Sequence, residues 1–255
     1  IQAVMESALT CRDEMHDMFV TDDGAATLRV RDAGEGQAMI FLHGWALDSD
    51  MWRPQLEDLS RDHRTIAFDR RGFGLSSGEP SLAADVEDLR WLCERLDVGM
   101  AGIVGMSQGA RVAARFAHDH PQRVRWLVLD GPPNLQATDR NVSLEVPLDQ
   151  YRDRLTRGGL ETLRREWSVH PLTRLHTRDP ATHTLLRTMI DRYSGTDLTL
   201  PIEADRIALD LRTLTQPVLV INGELDTRER HAAGEQIART IPHAQRSIVH
   251  HAGHL

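Results

Sequence analysis

The sequence predicts an α/β fold whose sheet is mostly parallel and flanked by helices, and three observations support this. Short apolar runs of strand length alternate along the chain with longer segments whose apolar residues have helical spacing. One run leads directly into Ser107, which stands between two nearby glycines and precedes an alanine-rich helical segment. A long stretch, 133–214, then breaks the alternation. Strands that alternate with amphipathic helices favour parallel pairing with right-handed crossovers.

The N-terminal part of the chain is predicted to contain an antiparallel strand pair. Residues 1–17 have weak periodicity and are interpreted as an N-terminal extension. Apolar runs at 18–20 and 26–30 flank an Asp-Gly pair, and this pattern predicts a hairpin with a tight turn. The uninterrupted apolar run 38–42 is typical of a strand buried on both faces, so the parallel part of the sheet is expected to begin there.

Three more strands are predicted before the long stretch, at 65–68, 100–104 and 124–129. Helices are expected in the intervening segments, where Asp48, Ser49 and Asp50 are available to cap one N-terminus and Ser81 can cap the next. In parallel sheets, functional side chains gather beyond the carboxyl ends of the strands. The polar residues expected at that edge are His43, Asp69, Ser107 and Asp130.

The stretch 133–214 is interpreted as a helical lid inserted before the penultimate strand. It contains no convincing strand, and it is longer than a single crossover helix requires. The strand pattern returns at 217–223, followed by a helix at about 228–240 and a last strand at 245–250. The helical patches of the lid are expected at about 147–157, 160–168, 181–193 and 203–213. The predicted core segments are 18–132 and 215–255.

The composition argues against several classes of function. A net charge of −8 disfavours non-specific binding to nucleic acid. Every basic residue is arginine, which excludes a lysine nucleophile or Schiff base. Cys11 and Cys93 match neither a metal-ligand spacing nor a disulfide framework, no apolar run is long enough to span a membrane, and the first residues lack the pattern of a secretory signal. We expect a cytoplasmic protein without metal or organic cofactor, acting on a small molecule and compatible with homo-oligomer formation.

The residues at the strand ends are of the types that nucleophilic catalysis needs. A serine hydroxyl is a poor nucleophile at pH 7 until a base removes its proton, and the base needs an acid that orients it. Backbone N–H groups must stabilise the oxyanion that forms, each lowering the barrier by about 3 kcal/mol. Ser107, Asp226 and His254 follow one another along the chain and offer a serine, an acid and a base at predicted strand ends.

Five short motifs stand at these strand ends. They are Phe41-Leu42-His43-Gly44-Trp45, Asp69-Arg70-Arg71-Gly72-Phe73-Gly74, Gly105-Met106-Ser107-Gln108-Gly109, Gly223-Glu224-Leu225-Asp226 and Ala252-Gly253-His254. Together and in this order they resemble the α/β-hydrolase superfamily, most closely its lidded branch of serine esterases, lactonases and C–C hydrolases. The resemblance covers about residues 18–255, and it implies an α/β-hydrolase fold with a lid.

The resemblance also implies roles for individual residues. Ser107 would be the nucleophile, His254 the general base and acid, and Asp226 the orienting acid. The backbone N–H groups of Trp45 and Gln108 would form the oxyanion hole. The candidates for the substrate pocket are His43, Trp45 and Met106. His43 is interpreted chiefly as a support for the oxyanion loop, the loop that carries Trp45 after the predicted strand 38–42.

Two further acids and two further histidines compete for these roles. Glu224 lies two residues before the preferred acid, and Asp130 also ends a predicted strand. His250 and His251 stand at the end of the last strand, whereas His254 follows a glycine in a loop that can reach the serine. Ser107 itself argues against a dehalogenase or an epoxide hydrolase, because those enzymes would carry an aspartate at this position.

By this resemblance the reaction is hydrolysis of a carboxylic ester or lactone through an acyl-enzyme. The alternatives are C–C bond hydrolysis of a vinylogous diketone, and a slow-turnover ligand receptor that retains the triad. The arginines of the lid hint at a carboxylate-bearing substrate such as an enol-lactone. Two features depart from the family pattern: Ala46 stands where relatives often carry proline, and the sequence ends one residue after His254. The second departure predicts either that further residues follow or that the histidine loop is loosely held.

Overall fold

The computed structural model describes residues 15–22, 26–135, 145–200 and 209–255, and an eight-stranded sheet lies at its centre. The strands are β1 (His16–Thr21), β2 (Thr27–Ala33), β3 (Ala38–Leu42), β4 (Arg64–Phe68), β5 (Ala101–Met106), β6 (Val124–Asp130), β7 (Val218–Gly223) and β8 (Gln245–Val249). Their order across the sheet is β1-β2-β4-β3-β5-β6-β7-β8. The β1–β2 and β2–β4 pairs are antiparallel, and every other pair is parallel. This mostly parallel sheet confirms the predicted fold class.

The α-helices of the described residues flank this sheet or lie between β6 and β7. They are α1 (Arg53–Leu59), α2 (Leu82–Arg95), α3 (Gln108–Asp119), α4 (Leu148–Thr156), α5 (Leu160–Trp167), α6 (Pro180–Arg192), α7 (Thr196–Thr199) and α8 (Arg228–Thr240). Of the three candidates for the first cap, Asp48 caps the 3₁₀ turn before α1, because its Oδ1 accepts from the N–H of Asp50. The predicted cap of α2 is present, because Oγ of Ser81 accepts from the N–H of Ala84.

The central strands are apolar on both faces because helices or loops cover both sides. Ile40 of β3 is in register with Ile66 of β4 and with Ile103 of β5, and all three are almost completely buried. These residues belong to the main hydrophobic cluster, which extends to Phe116 of α3 and Leu89 of α2. The uninterrupted apolar runs in the sequence are thus the strands that the core surrounds.

The N-terminal hairpin begins two residues earlier than the sequence predicts. β1 starts at His16, which is in register with Asp32 of β2. Asp17, the next residue of β1, adds a side-chain contact to this strand pair, because its carboxylate accepts from Nε of Arg29 at 2.9 Å. The predicted Asp-Gly turn at 23–24, and most of the predicted extension 1–17, lie outside the described residues.

The chain between β6 and β7, called the helical insert below, contains no strand among its described residues, 131–135, 145–200 and 209–217. Helices α4, α5 and α6 start and end within two residues of three predicted patches. Of the fourth patch, 203–213, the residues up to 208 lie outside the described part, and Leu211–Thr213 forms a 3₁₀ turn rather than an α-helix.

A second hydrophobic cluster joins the helical insert to the sheet edge. Trp45, Ala46 and Leu47 enter it from the loop after β3, and Phe73 enters it from the loop after β4. The insert contributes Tyr151, Leu163, Trp167, Leu172, Leu186, Met189, Ile190, Tyr193 and Leu198. In the part of the chain that the structure describes, no helix has the length and apolar character needed to cross a membrane.

Candidate active site

Ser107 stands on a sharp turn between β5 and α3. Its backbone has φ 52° and ψ −114°, a region that costs energy for a residue other than glycine. Its N–H donates to the carbonyl of Asp130 at 2.8 Å, which ties the turn to the end of β6. A Cβ on Gly105 would collide with the backbone of Gly109, and one on Gly109 with that of Leu42. The two glycines therefore allow the close approach of chain segments that presents the serine.

His254 and Asp226 form a buried pair at the same edge of the sheet. Nδ1 of His254 lies 3.0 Å from Oδ2 of Asp226, and both side chains are almost fully buried. Because a carboxylate accepts, Nδ1 carries the proton and Nε2 keeps its lone pair. Gly131, with φ 49°, makes room for the ring, since a Cβ at this position would lie 2.6 Å from Nδ1. The histidine thus has the tautomer that a general base needs.

The surroundings of His254 favour its neutral form. Burial lowers the pKa of this histidine below its ordinary 6.5. The hydrogen bond to Asp226 opposes that shift, and the positive charge of Arg230 adds to it. The imidazole is therefore neutral at pH 7 and able to accept a proton.

The loop that carries His254 is held by the loop that follows β7. The N–H of Leu225 donates to the carbonyl of Ala252 at 2.8 Å, and the Glu224 carboxylate accepts from the N–H of His251 at 2.9 Å. These two hydrogen bonds connect the histidine loop to the loop after β7.

Three of the four competing residues, Glu224, His250 and His251, lie at the surface, and Asp130 lies near Asp226. Glu224 faces His250 and His251 at the surface, with Nδ1 of His250 3.5 Å from its carboxylate. The side chains of these two histidines are 78% and 95% exposed. Asp130 ends β6, where burial and the nearby charge of Asp226 raise its pKa to about 7. These groups are placed outside the buried histidine–carboxylate pair.

The peptide bond between Gly44 and Trp45 is held on its carbonyl side. Nδ1 of His43 donates to the Gly44 carbonyl at 2.8 Å, and Nη2 of Arg70 donates to it at 3.4 Å. In a trans peptide the N–H points opposite to the C=O, so these contacts direct the Trp45 N–H away from His43 and Arg70. Gly44 passes close to the nucleophile turn, because a Cβ on it would lie 3.4 Å from Cβ of Ser107.

Arg70 links the two residues predicted to donate to the oxyanion. Besides the Gly44 carbonyl, its Nη2 donates to Oε1 of Gln108 at 2.6 Å, and its Nη1 donates to Asp85 at 2.8 Å. The side chain is 1% exposed, so the ion pair with Asp85 is fully buried. Sequence reasoning assigned no role to Arg70, and the only signal was its place in a polar loop directly after a strand.

Ser107 and His254 both line one cavity of about 150 Å³, whose walls come from the strand-end loops and from the helical insert. Trp45 and Met106 also line it, and the insert adds Trp167. A cavity of this volume can hold several water molecules. The described residues contain no group of three or more histidines, cysteines or acids placed to hold a metal ion.

His43 is not among the residues that line this cavity, which corrects its place as a substrate-pocket candidate. It is fully buried, and its Nε2 accepts from the N–H of Arg70 at 2.9 Å while Nδ1 donates to the carbonyl of Gly44. Burial, with the nearby charge of Arg70, lowers the pKa of His43 well below its ordinary value. Both ring nitrogens are engaged with backbone groups, so the ring lies behind the loop and does not face the cavity.

The helical insert contacts the Trp45 side chain on several sides. The indole packs on Trp167 at 4.6 Å between ring centroids and stacks on Tyr151 at 5.9 Å. Its Nε1 donates to Asp197 at 2.7 Å, and the hydroxyl of Tyr193 donates to the other oxygen of the same carboxylate at 2.7 Å. An acid of the insert, Asp197, thus fixes a residue of the loop after β3.

The fold and these strand-end loops define an α/β hydrolase. The family model of the alpha/beta hydrolase fold matches residues 37–255, so the chain belongs to this family. The match covers the sheet from just before β3 onward, the helical insert, and the loops that carry Ser107, Asp226 and His254.

Among individual relatives, the chain is similar to the pimeloyl-[acyl-carrier protein] methyl ester esterase of Nitrosomonas europaea. The two are 26% identical over 237 residues, which cover 90% of this chain and 93% of the relative. A shorter match, 36% identical over 132 residues, links it to the 2-(acetamidomethylene)succinate hydrolase of Mesorhizobium japonicum, and it covers 49% of this chain and 47% of that protein.

Solved structures show the same architecture. The thermophilic esterase of Thermogutta terrifontis, solved with malate bound, superposes with a TM-score of 0.78 and 27% identity, covering 94% of this chain and 91% of that one. The enol-lactonase of Burkholderia xenovorans superposes with a TM-score of 0.77 and covers 91% of both chains, and at 21% identity it is evidence for the fold alone.

Proposed function

We propose that the protein is a serine hydrolase that cleaves a carboxylic ester or lactone through an acyl-enzyme on Ser107. One observation carries the proposal: Ser107 on its strained turn lines the same cavity as His254, whose ring is hydrogen-bonded to the buried Asp226. The methyl ester esterase of Nitrosomonas europaea and the esterase of Thermogutta terrifontis are relatives whose names fit this chemistry.

In the acylation step, Nε2 of His254 takes the proton of the Ser107 hydroxyl as the oxygen attacks the carbonyl carbon. Asp226 holds Nδ1 and stabilises the imidazolium that forms. The tetrahedral intermediate then collapses, and His254 passes the proton to the leaving alkoxide. In deacylation the same nitrogen activates a water molecule, which releases the acid and restores the serine.

The negative charge of the tetrahedral intermediate is stabilised by the backbone N–H groups of Trp45 and Gln108. Support for Trp45 comes from the hydrogen bonds that hold the Gly44 carbonyl and turn the next N–H away from them. Support for Gln108 comes from its position as the first residue of α3, where backbone N–H groups lack partners within the helix. Each such donor lowers the barrier by about 3 kcal/mol.

The helical insert acts as a lid in this proposal. It supplies one wall of the cavity and packs Tyr151 and Trp167 against Trp45 of the oxyanion loop. A cavity closed in this way excludes bulk water, so that charges inside it interact more strongly.

The test is hydrolysis of a panel of uncharged short-chain p-nitrophenyl esters and simple lactones. The wild type is expected to turn over, and Ser107→Ala is expected to lose at least about 1,000-fold in kcat. Ser168→Ala, which changes an exposed serine of the insert, is the matched control. Equal rates for the Ser107→Ala variant and the wild type would refute the acyl-enzyme.

A further inference from the structure

The charged side chains that line the cavity are mostly positive, although the chain as a whole is acidic. Among the described residues that line the cavity, the charged side chains are those of Arg111, Arg152, Arg230 and Asp197. The formal net charge of the chain is −8. The sign of the charge at the cavity wall is therefore opposite to that of the whole chain. Each of the four groups has to be accounted for before a ligand is inferred.

Two of the four charged groups, Arg230 and Asp197, are paired with other groups of the protein. Nε of Arg230 donates to Glu145 at 2.7 Å and its Nη1 donates to the Gly131 carbonyl at 3.0 Å, so its charge is balanced by a buried acid. Both oxygens of Asp197 accept hydrogen bonds, from Trp45 and from Tyr193. The charge of Arg230 is thus already balanced, and both oxygens of Asp197 already have hydrogen-bond donors.

Arg152 brings a weakly compensated charge to the cavity from α4. Its Nε donates to the carbonyl of Leu198, another lining residue, at 2.7 Å, which fixes the guanidinium at the wall. Its ion-pair partner is Asp149 at 3.4 Å, whose side chain is 80% exposed. A pair of this kind is screened by solvent and contributes little, so the guanidinium remains able to attract an anion.

Arg111 brings the second charge from the helix that carries the nucleophile. Arg111 lies on the first turn of α3, the helix that begins directly after Ser107, and it lines the same cavity as that serine. Arg111 also interacts with another group of the protein. A guanidinium has five N–H donors, so it can keep that partner and still donate to a substrate.

We propose that Arg111 and Arg152 form an anion subsite of the cavity, and that the substrate carries a carboxylate at a short distance from the scissile ester. Guanidinium groups bind carboxylates with two parallel hydrogen bonds, which also orients the ligand. Ser107, Arg111 and Arg152 line one cavity of about 150 Å³, so a short carbon chain must join the carboxylate to the ester carbonyl. The substrate class is thus a monoester of a short dicarboxylic acid, or a small lactone that carries a carboxylate, and this assignment rests on the proposed esterase function.

The test compares monomethyl glutarate with its uncharged analogue dimethyl glutarate. We expect kcat/KM of the wild type to be about 10-fold or more higher for the monoanion, and Arg152→Gln or Arg111→Gln to lower it about 10- to 100-fold for the monoanion and much less for the diester. Arg187→Gln, an exposed arginine of the insert, is the matched control. Arg152→Lys, which keeps the charge, should recover part of the loss.

Binding provides a readout that does not depend on turnover. Calorimetry should show monomethyl glutarate binding to Ser107→Ala and at least about 10-fold weaker binding to Ser107→Ala with Arg152→Gln. Equal preference for the two esters, or equal losses on both in the variants, would overturn the subsite while esterase activity persists. Failure of the wild type to cleave any ester would overturn the proposed function, and the calorimetric comparison would still decide the subsite.

Discussion

At the residue scale, Asp130 is a partly buried acid near Asp226 whose ionisation opposes folding. Burial and, second, the charge of Asp226 raise the pKa of its carboxyl from 3.8 to about 7. The folded state therefore holds this proton up to about pH 7, whereas the unfolded chain loses it near pH 3.8. Between these values the folded state binds more protons, so the free energy of unfolding falls as the pH rises.

Asp130→Asn should remove this contribution. We expect the melting temperature of the variant, relative to the wild type, to rise steadily between about pH 4 and about pH 7 and to level off above that range. Thermal melts at a series of pH values measure this difference. Asp58→Asn, at an exposed carboxylate of α1, should show no such trend. A difference between Asp130→Asn and wild type that is constant with pH would mean that Asp130 is not the titrating group.

At the element scale, three loops that follow β3, β4 and β5 meet at Arg70. Its guanidinium contacts the Gly44 carbonyl and the Gln108 side chain, and Asp85 of α2 balances its charge. A guanidinium is required at this position, because its N–H groups point in several directions and can donate to all three partners at once. Arg70 is therefore a positioning residue for both proposed oxyanion donors.

Arg70→Lys keeps the charge and removes the fork. We expect kcat to fall about 10-fold or more with little change in KM, because the oxyanion donors act only in the transition state. Steady-state kinetics on an uncharged ester measures both constants. Arg71→Lys is the matched control, since Arg71 pairs with Asp22 and Asp88 and does not contact the oxyanion loop. A rise in KM without loss of kcat would assign Arg70 to substrate binding instead.

At the scale of the whole molecule, the helical insert is joined to the sheet by its own hydrophobic cluster. Leu163 of α5 is completely buried in that cluster, whereas Val169 of the insert is 79% exposed. Leu163→Ala should lower the free energy of unfolding by about 2–5 kcal/mol, and Val169→Ala by less than about 0.5 kcal/mol.

Denaturant melts of the two variants measure these changes, and activity should fall with Leu163→Ala because the insert forms a wall of the cavity. An unchanged melt for Leu163→Ala would mean that the insert does not share in the cooperative core.

The sequence predicted the strands and helices whose formation depends on residues close together in the chain. The buried strands are continuous apolar runs, α2 begins where Ser81 can cap it, and the serine turn needs its two glycines. The loop after β7 carries the acid and the last loop carries the histidine, so chain order already suggested a pairing of Asp226 with His254.

What the sequence could not predict depends on contacts between distant segments. Arg70 binds the Gly44 carbonyl 26 residues before it and Gln108 38 residues after it, and no local pattern encodes that geometry. The same holds for His43, whose ring turns to backbone groups behind the oxyanion loop. Asp197 likewise reaches Trp45 across 152 positions of the chain.

The central claim is that Ser107 is a nucleophile activated by the neutral imidazole of His254. Mass spectrometry of the wild type after reaction with a fluorophosphonate, followed across pH, tests it directly. We expect one adduct, on the peptide that contains Ser107, whose rate of formation falls on acidification with a midpoint below 6.5, since burial lowers the pKa of His254. His254→Ala should slow the reaction at least about 1,000-fold. An adduct on another residue, or a rate that His254→Ala leaves unchanged, would contradict the claim.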